Sequence, residues 1–118
     1  MAHRFDIKTS KLKNVNKPII VLMNKKTGSS GEFVTIALSG LKNATLLGVN
    51  TTGLTSANQE HKLADSAFLV LTEGSTIDYK GKAFDVVGKG VTPNILFEKV
   101  KDNEAIIKKA KEIIDSRQ

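Results

Sequence analysis

Apolar residues along this chain fall into short unbroken runs and one helical stripe, and each form predicts an element. Pro18 to Met23 is apolar at every position and rich in β-branched side chains, the pattern of a buried strand. After a polar turn from Asn24 to Gly28, the segment Glu32 to Leu41 is apolar almost all round through Phe33, Val34, Ile36, Ala37, Leu38 and Leu41. That predicts a helix enclosed by protein on several sides and ending near Gly40. Thr45 to Gly48 reads as a second strand. Asn50 to Asn58 reads as loop, because its Thr, Ser, Gly and Asn side chains compete with regular backbone pairing. Ala67 to Thr72, apolar on both faces, predicts a strand central in its sheet. Ala83 to Val87 reads as a strand between turns, and Gly88 to Asn94 as a glycine-rich exit loop. Ile106, Ile107, Ala110, Ile113 and Ile114 form one helical stripe, with Lys108, Lys109, Lys111, Glu112 and Asp115 outside it. Asp102 is placed to cap this helix and Glu104 to meet the positive end of its dipole, so it reads as scaffold.

Composition narrows the classes of chemistry. At 118 residues, 40% hydrophobic and 25% charged, the sequence is that of one compact soluble domain or part of one. It has no cysteine, which removes disulfides, a thiol nucleophile and thiolate metal sites. Its two histidines, His3 and His61, are far apart, so no histidine metal site is expected, nor any other metal or cofactor. No run has the length of a membrane span, and the N-terminal residues lack the apolar core of a signal peptide. The net charge of +6 is spread over the whole chain without aromatic interleaving, which describes a solvated basic surface rather than a nucleic-acid platform.

One turn carries candidate chemistry. Thr27-Gly28-Ser29-Ser30-Gly31-Glu32 joins the first strand to the first helix. A serine at a helix N-terminus is well placed as a nucleophile, since the unpaired N–H groups there can stabilise an oxyanion. The same residues also fit ordinary capping, because Ser29 and Glu32 have the S-x-x-E spacing of a capping box. An anion site at Thr27 to Gly31 is a third reading, although no Gly-Lys-Ser/Thr follows the glycines.

The elements in order resemble a known family. Pro18-Ile19-Ile20-Val21-Leu22, Thr27-x-Ser29-x-x-Glu32, Asn43 to Gly48, Thr51-x-Gly53, Asn58, Leu63-x-Asp65, Leu69-x-Leu71-Thr72 and Gly90-Val91-x-Pro93 are similar, in sequence and spacing, to the C-terminal half of the catalytic domain of tail-specific, or C-terminal-processing, serine peptidases. The likeness runs from about Lys17 to Asn94 and is greatest to the nisin-resistance-protein-like, tricorn-core-related branch. It implies an α/β (α+β) fold, part of a ClpP/crotonase-like core, with a mixed sheet, a buried helix after the nucleophile turn and a C-terminal amphipathic helix. The implied organisation is an edge or flexible segment over 1–17, the half-domain over 18–98 and the amphipathic helix over 99–118.

The resemblance also implies roles. Ser29 would be the nucleophile and the Ser30 N–H part of the oxyanion hole. Glu32 would hold the turn through backbone N–H groups, with Gly28, Gly53 and Asn58 supporting the site and Asp65 and Thr72 keeping the fold. In the Ser-Lys branch the lysine falls at the position of Leu54 here, so that dyad is absent. The Ser-His branch takes its histidine from the half of the domain upstream of the first matched strand. His61 reads as a strand histidine, and Lys25 and Lys26 as solvent-facing. Asn94 stands where an aspartate commonly follows Val-x-Pro, and Val87 where the tricorn branch carries an acid. The implied function is a serine peptidase acting near peptide C-termini, present as a fragment without its general base and inactive alone. A peptide-binding or interaction module of the same fold, without the chemistry, is the alternative. Peptides or proteins are the expected partners, self-association or domain swapping is expected from the exposed half-core, and relatives in this branch act at the cell surface.

Overall fold

The computed structural model describes residues 16–77, 81, 83, 84 and 86–117. The segment 1–15, which holds His3, and Tyr79, Lys80 and Lys82 lie outside the described residues. The chain begins with β1 (Ile19–Met23), α1 (Ser30–Ser39) and β2 (Ala44–Gly48). Four short strands follow, β3 (Ala57–Lys62), β4 (Phe68–Gly74), β5 (Thr76–Ile77) and β6 (Ala83–Phe84). The chain then forms β7 (Ile95–Leu96) and closes with α2 (Asn103–Asp115). The fold is mixed α/β.

Alternation along the first two strands explains how it packs. β1 and β2 pair in parallel, with Ile19 opposite Ala44 and Met23 opposite Gly48, and β7 adds in parallel on the far side of β2. Successive side chains of a strand point to opposite faces. Val21, Met23 and Leu46 accordingly meet Ile36 of α1 and Val91, while Ile20, Leu47 and Ile95 meet Ile106, Ala110 and Ile113 of α2. The sheet thus carries a helix on each face and buries a core on both, as the unbroken apolar run in β1 requires. α2 is capped as its sequence predicts, with Asp102 Oδ1 accepting from the Ala105 N–H at 3.0 Å, and Ile106, Ala110 and Ile113 are its buried positions.

Four expectations need correction. α1 is not enclosed on several sides among the described residues: Glu32, Thr35 and Ile36 are buried, while Phe33 and Val34 are 40% and 58% exposed. Only one face of it meets the sheet. The apolar strand read over Ala67 to Thr72 is β4, and it is not central. Among the described residues it pairs only with β3, in an antiparallel hairpin, and Phe68 to Leu71 are exposed. Its two apolar faces therefore have no layer of described residues against them. The loop read over Asn50 to Asn58 ends sooner, because Ala57 and Asn58 enter β3. Of the strand read over Ala83 to Val87, Ala83 and Phe84 form β6 against β5, and Val87 lies in a turn.

Candidate active site

The connection from β1 to α1 is sharp, and Ser29 is the residue that makes it so. As the N-cap of α1 it has φ 50° and ψ −119°, a left-handed conformation that costs a non-glycine residue about 1–3 kcal/mol. The hydroxyl-bearing residue is exposed. Glycines flank it because the turn is crowded: a Cβ on Gly28 would sit 3.3 Å from Thr52 Oγ1, and one on Gly31 3.3 Å from Thr27 Cγ2.

The conformation is held by Glu32. Its side chain is fully buried, and no cation among the described residues pairs with it. Four donors surround it instead. The Ser29 N–H donates to Oε2 at 3.1 Å and the Leu54 N–H to Oε2 at 2.7 Å, while the Gly53 N–H donates to Oε1 at 2.7 Å and the Thr51 hydroxyl also donates to Oε1. The Glu32 half of the capping box is thus made, but the carboxylate does more than cap. It ties the serine turn to the loop after β2. Thr51 extends the tie by accepting the Val91 N–H at 2.7 Å, and the Thr52 N–H donates to the Thr27 carbonyl at 2.9 Å. Gly53 must be glycine here: its φ is +92°, and a Cβ would fall 2.8 Å from the Gly88 and Lys89 nitrogens.

Beside the serine, the Ser30 N–H opens the helix and donates to no acceptor among the described residues. An exposed hydroxyl next to an unpaired N–H at the positive end of a helix is suited to attack on a carbonyl whose oxygen gains negative charge. The sequence profile of peptidase family S41 matches residues 2–97. The chain belongs to peptidase family S41. It is 40% identical over 72 residues to a nisin-resistance protein of Lactococcus lactis subsp. lactis, a stretch that is 60% of this chain and 23% of that protein. It is 35% identical over 95 residues to a carboxy-terminal-processing protease of Bartonella bacilliformis, covering 80% of this chain and 21% of that one. A lipoprotein from Streptococcus agalactiae, solved as a structure, superposes with a TM-score of 0.65 at 28% identity, over 86% of this chain and 32% of that one. This S41 chain therefore spans less than a quarter of the curated relatives it matches.

The remaining residues singled out in the sequence of this S41 chain divide by location. Gly28, Ser29, Ser30, Glu32 and Gly53 come together, and so does Leu54, whose Cδ1 lies 3.6 Å from where a Gly28 Cβ would stand. Asn58 does not join them. It sits in β3 and accepts from the Thr72 hydroxyl across the hairpin at 2.8 Å, because the strand begins before it. Asp65 caps the hairpin turn by accepting the Ala67 N–H at 3.1 Å. His61 in β3 is committed through Nε2 to Glu73 Oε1 on β4. Lys25 and Lys26 are exposed. Asn94 Oδ1 accepts the Leu46 N–H at 2.8 Å, an acceptor role an aspartate would fill as well, so the replacement there keeps the tie between β2 and the exit loop. Thr51 is the residue sequence reasoning named without a role. Its signal was a threonine two positions before an obligatory glycine, which alone does not show that the hydroxyl bridges Glu32 and Val91.

The Glu32 carboxyl has a pH signature. Burial by itself would raise its pKa, but the hydrogen bonds from Thr51, Gly53, Leu54 and Ser29 outweigh burial and hold it below its ordinary value of about 4.5. A group lowered on folding contributes stability that is complete above the unfolded-state value and is lost as pH falls through the folded-state value. Urea midpoints are expected to hold from neutrality to about pH 5 and to fall below it, with Glu32→Gln flattening that acid limb. An equally steep limb in Glu32→Gln would assign it to other carboxylates.

Proposed function

We propose that this chain is the nucleophile-bearing half of a serine peptidase active site that cleaves peptides near their C-termini. The Ser29 hydroxyl adds to a peptide carbonyl and gives up its proton to a base, and the oxyanion of the tetrahedral intermediate accepts from the Ser30 N–H. Collapse of the intermediate expels the amine, which takes a proton, and leaves an ester on Ser29 that water then hydrolyses. The observation that carries this reading is the strained, exposed Ser29, fixed by the buried Glu32 beside a Ser30 N–H that has no acceptor among the described residues.

None of the described residues beside the turn is placed to serve as its base. Leu54 lies against the turn but holds no proton, and His61 is engaged by Glu73. We assign the base to the upstream half of the domain, which would also cover the exposed apolar residues of α1 and β4. Named relatives that include a nisin-resistance protein and a lipoprotein support a place at the cell surface.

The apolar Leu54 beside the turn favours a second reading, a module that binds peptides without cleaving them. A polypeptide that joins this chain to the upstream half of the domain separates the two. Mass spectrometry of an unstructured test peptide should show new fragments from its C-terminal region with the joined polypeptide and none with Ser29→Ala. Binding of the intact peptide without fragments would favour the module.

A further inference from the structure

Glu32 fixes Ser29 from the helix side, through the Ser29 N–H. On the other side stands Gly28, a residue type that restrains its neighbour least because it has no Cβ to limit its own backbone. Before it, residues 24–27 form a turn closed on itself. Asn24 Oδ1 accepts the Lys26 N–H at 2.8 Å, the Asn24 carbonyl accepts the Thr27 N–H at 2.9 Å, and the Asn24 N–H donates to Thr27 Oγ1 at 3.2 Å. These bonds give the turn its shape but do not set where it sits relative to the loop after β2.

Thr52 sets that placement. Its hydroxyl donates to the Lys25 carbonyl at 2.7 Å and its N–H to the Thr27 carbonyl at 2.9 Å, and among the described residues no other hydrogen bond reaches residues 24–27 from another segment. The loop after β2 alternates, with Thr51, Gly53 and Thr55 buried and Thr52 and Leu54 exposed. Glu32 clamps this loop through the Thr51 hydroxyl and the Gly53 and Leu54 N–H groups, so the Thr52 side chain stands on fixed backbone. It also lies against the residue before the serine: a Cβ on Gly28 would sit 3.3 Å from Thr52 Oγ1 and 3.5 Å from Thr52 Cβ. Thr52 thus supplies from outside the restraint that Gly28 lacks.

We propose that Thr52 is a positioning residue for Ser29: its hydroxyl holds residues 25–28 at one distance from the loop after β2 and so keeps the Ser29 hydroxyl in place beside the Ser30 N–H. This rests on the reading of Ser29 as a peptidase nucleophile. A nucleophile and an oxyanion donor act together only at a fixed spacing, and a misplacement of about 1 Å costs on the order of 10²-fold in rate. Thr52 moves no proton in the reaction. Its own hydroxyl proton is held by the Lys25 carbonyl.

The test uses the full 118-residue chain with imidazole as a diffusible base, and reads the rate at which a fluorophosphonate modifies Ser29 relative to the other exposed serines. Thr52→Val keeps the β-branched shape and the backbone N–H and loses only the hydroxyl. It is expected to lower the relative rate about tenfold, the cost of a displacement smaller than 1 Å. Thr52→Ser keeps the hydroxyl and should restore most of that rate. Ala110→Gly weakens α2, on the opposite face of the sheet from α1, and serves as the stability control. It should lower the urea midpoint at least as much as Thr52→Val and leave the relative rate unchanged. In ¹⁵N-correlated NMR spectra, Thr52→Val should shift the amides of Lys26, Thr27 and Ser29, and Thr52→Ser should return them. An undiminished rate in Thr52→Val, an equal loss in Thr52→Ser, an equal loss in Ala110→Gly, or amide shifts confined to residues 51–53 would each overturn the positioning role. Failure of the nucleophile reading looks different. In that case imidazole never makes Ser29 the favoured serine in the unaltered chain, which removes both proposals, whereas a preference for Ser29 that survives Thr52→Val removes the positioning role alone.

Discussion

Glu32→Ala is expected to remove about 3–5 kcal/mol of stability, enough to unfold a large share of a domain whose total is about 5–15 kcal/mol. The side chain is fully buried, and its loss strands the Ser29, Gly53 and Leu54 N–H groups and the Thr51 hydroxyl. Each buried donor left without an acceptor costs about 1–3 kcal/mol, less where water can enter. Glu32→Gln should cost roughly half as much, because the amide keeps one oxygen as acceptor and turns an NH2 group toward the other donors. Urea unfolding at neutral pH measures both. A loss below about 1 kcal/mol for Glu32→Ala would mean that the carboxylate does not hold the turn to the loop after β2.

Ser29 should show the reverse balance between stability and chemistry. In a polypeptide that joins the chain to the upstream half of the domain, the proposed role of Ser29 predicts that Ser29→Ala lowers kcat by roughly 10⁴-fold or more, as the loss of a nucleophile does in serine peptidases. The fold should tolerate it. Ser29→Gly should be as inactive and yet raise stability by about 1 kcal/mol, because glycine adopts a φ of 50° without the strain that serine bears there. A site kept under strain for function gains stability when function is removed. If Ser29→Gly destabilises instead, the left-handed conformation is not a cost that the fold carries for the serine.

The sequence made some parts of the molecule legible and left others hidden for physical reasons. β1 and α2 were readable because an unbroken apolar run and a single apolar stripe each match one kind of burial. The Ser29 turn could be read as more than a cap only with the ordered residues that follow it, since capping and catalysis use the same residue types. β4 was misplaced because apolar residues on both faces say that a strand can be buried, and not that this stretch of chain carries the layers to bury it. α1 failed the same way at Phe33 and Val34. The role of Thr51 was hidden because it depends on Glu32 and Val91, 19 and 40 residues away, converging on one hydroxyl. Asn58 was drawn toward the site by its position in the series, and the hairpin register takes it to Thr72 instead.

On the proposed function, Ser29 is a privileged serine to which the described residues offer no base. The most direct measurement is the rate at which a fluorophosphonate modifies each residue of the chain, mapped by mass spectrometry with and without imidazole as a diffusible base. Without imidazole, Ser29 should react no faster than the other exposed serines. With it, Ser29 should react preferentially, by on the order of 10²-fold, the lower end of what a general base contributes, and Ser29→Ala should abolish the gain. Rapid labelling of Ser29 without imidazole would contradict the absence of a base, and labelling that never favours Ser29 would contradict its role as nucleophile.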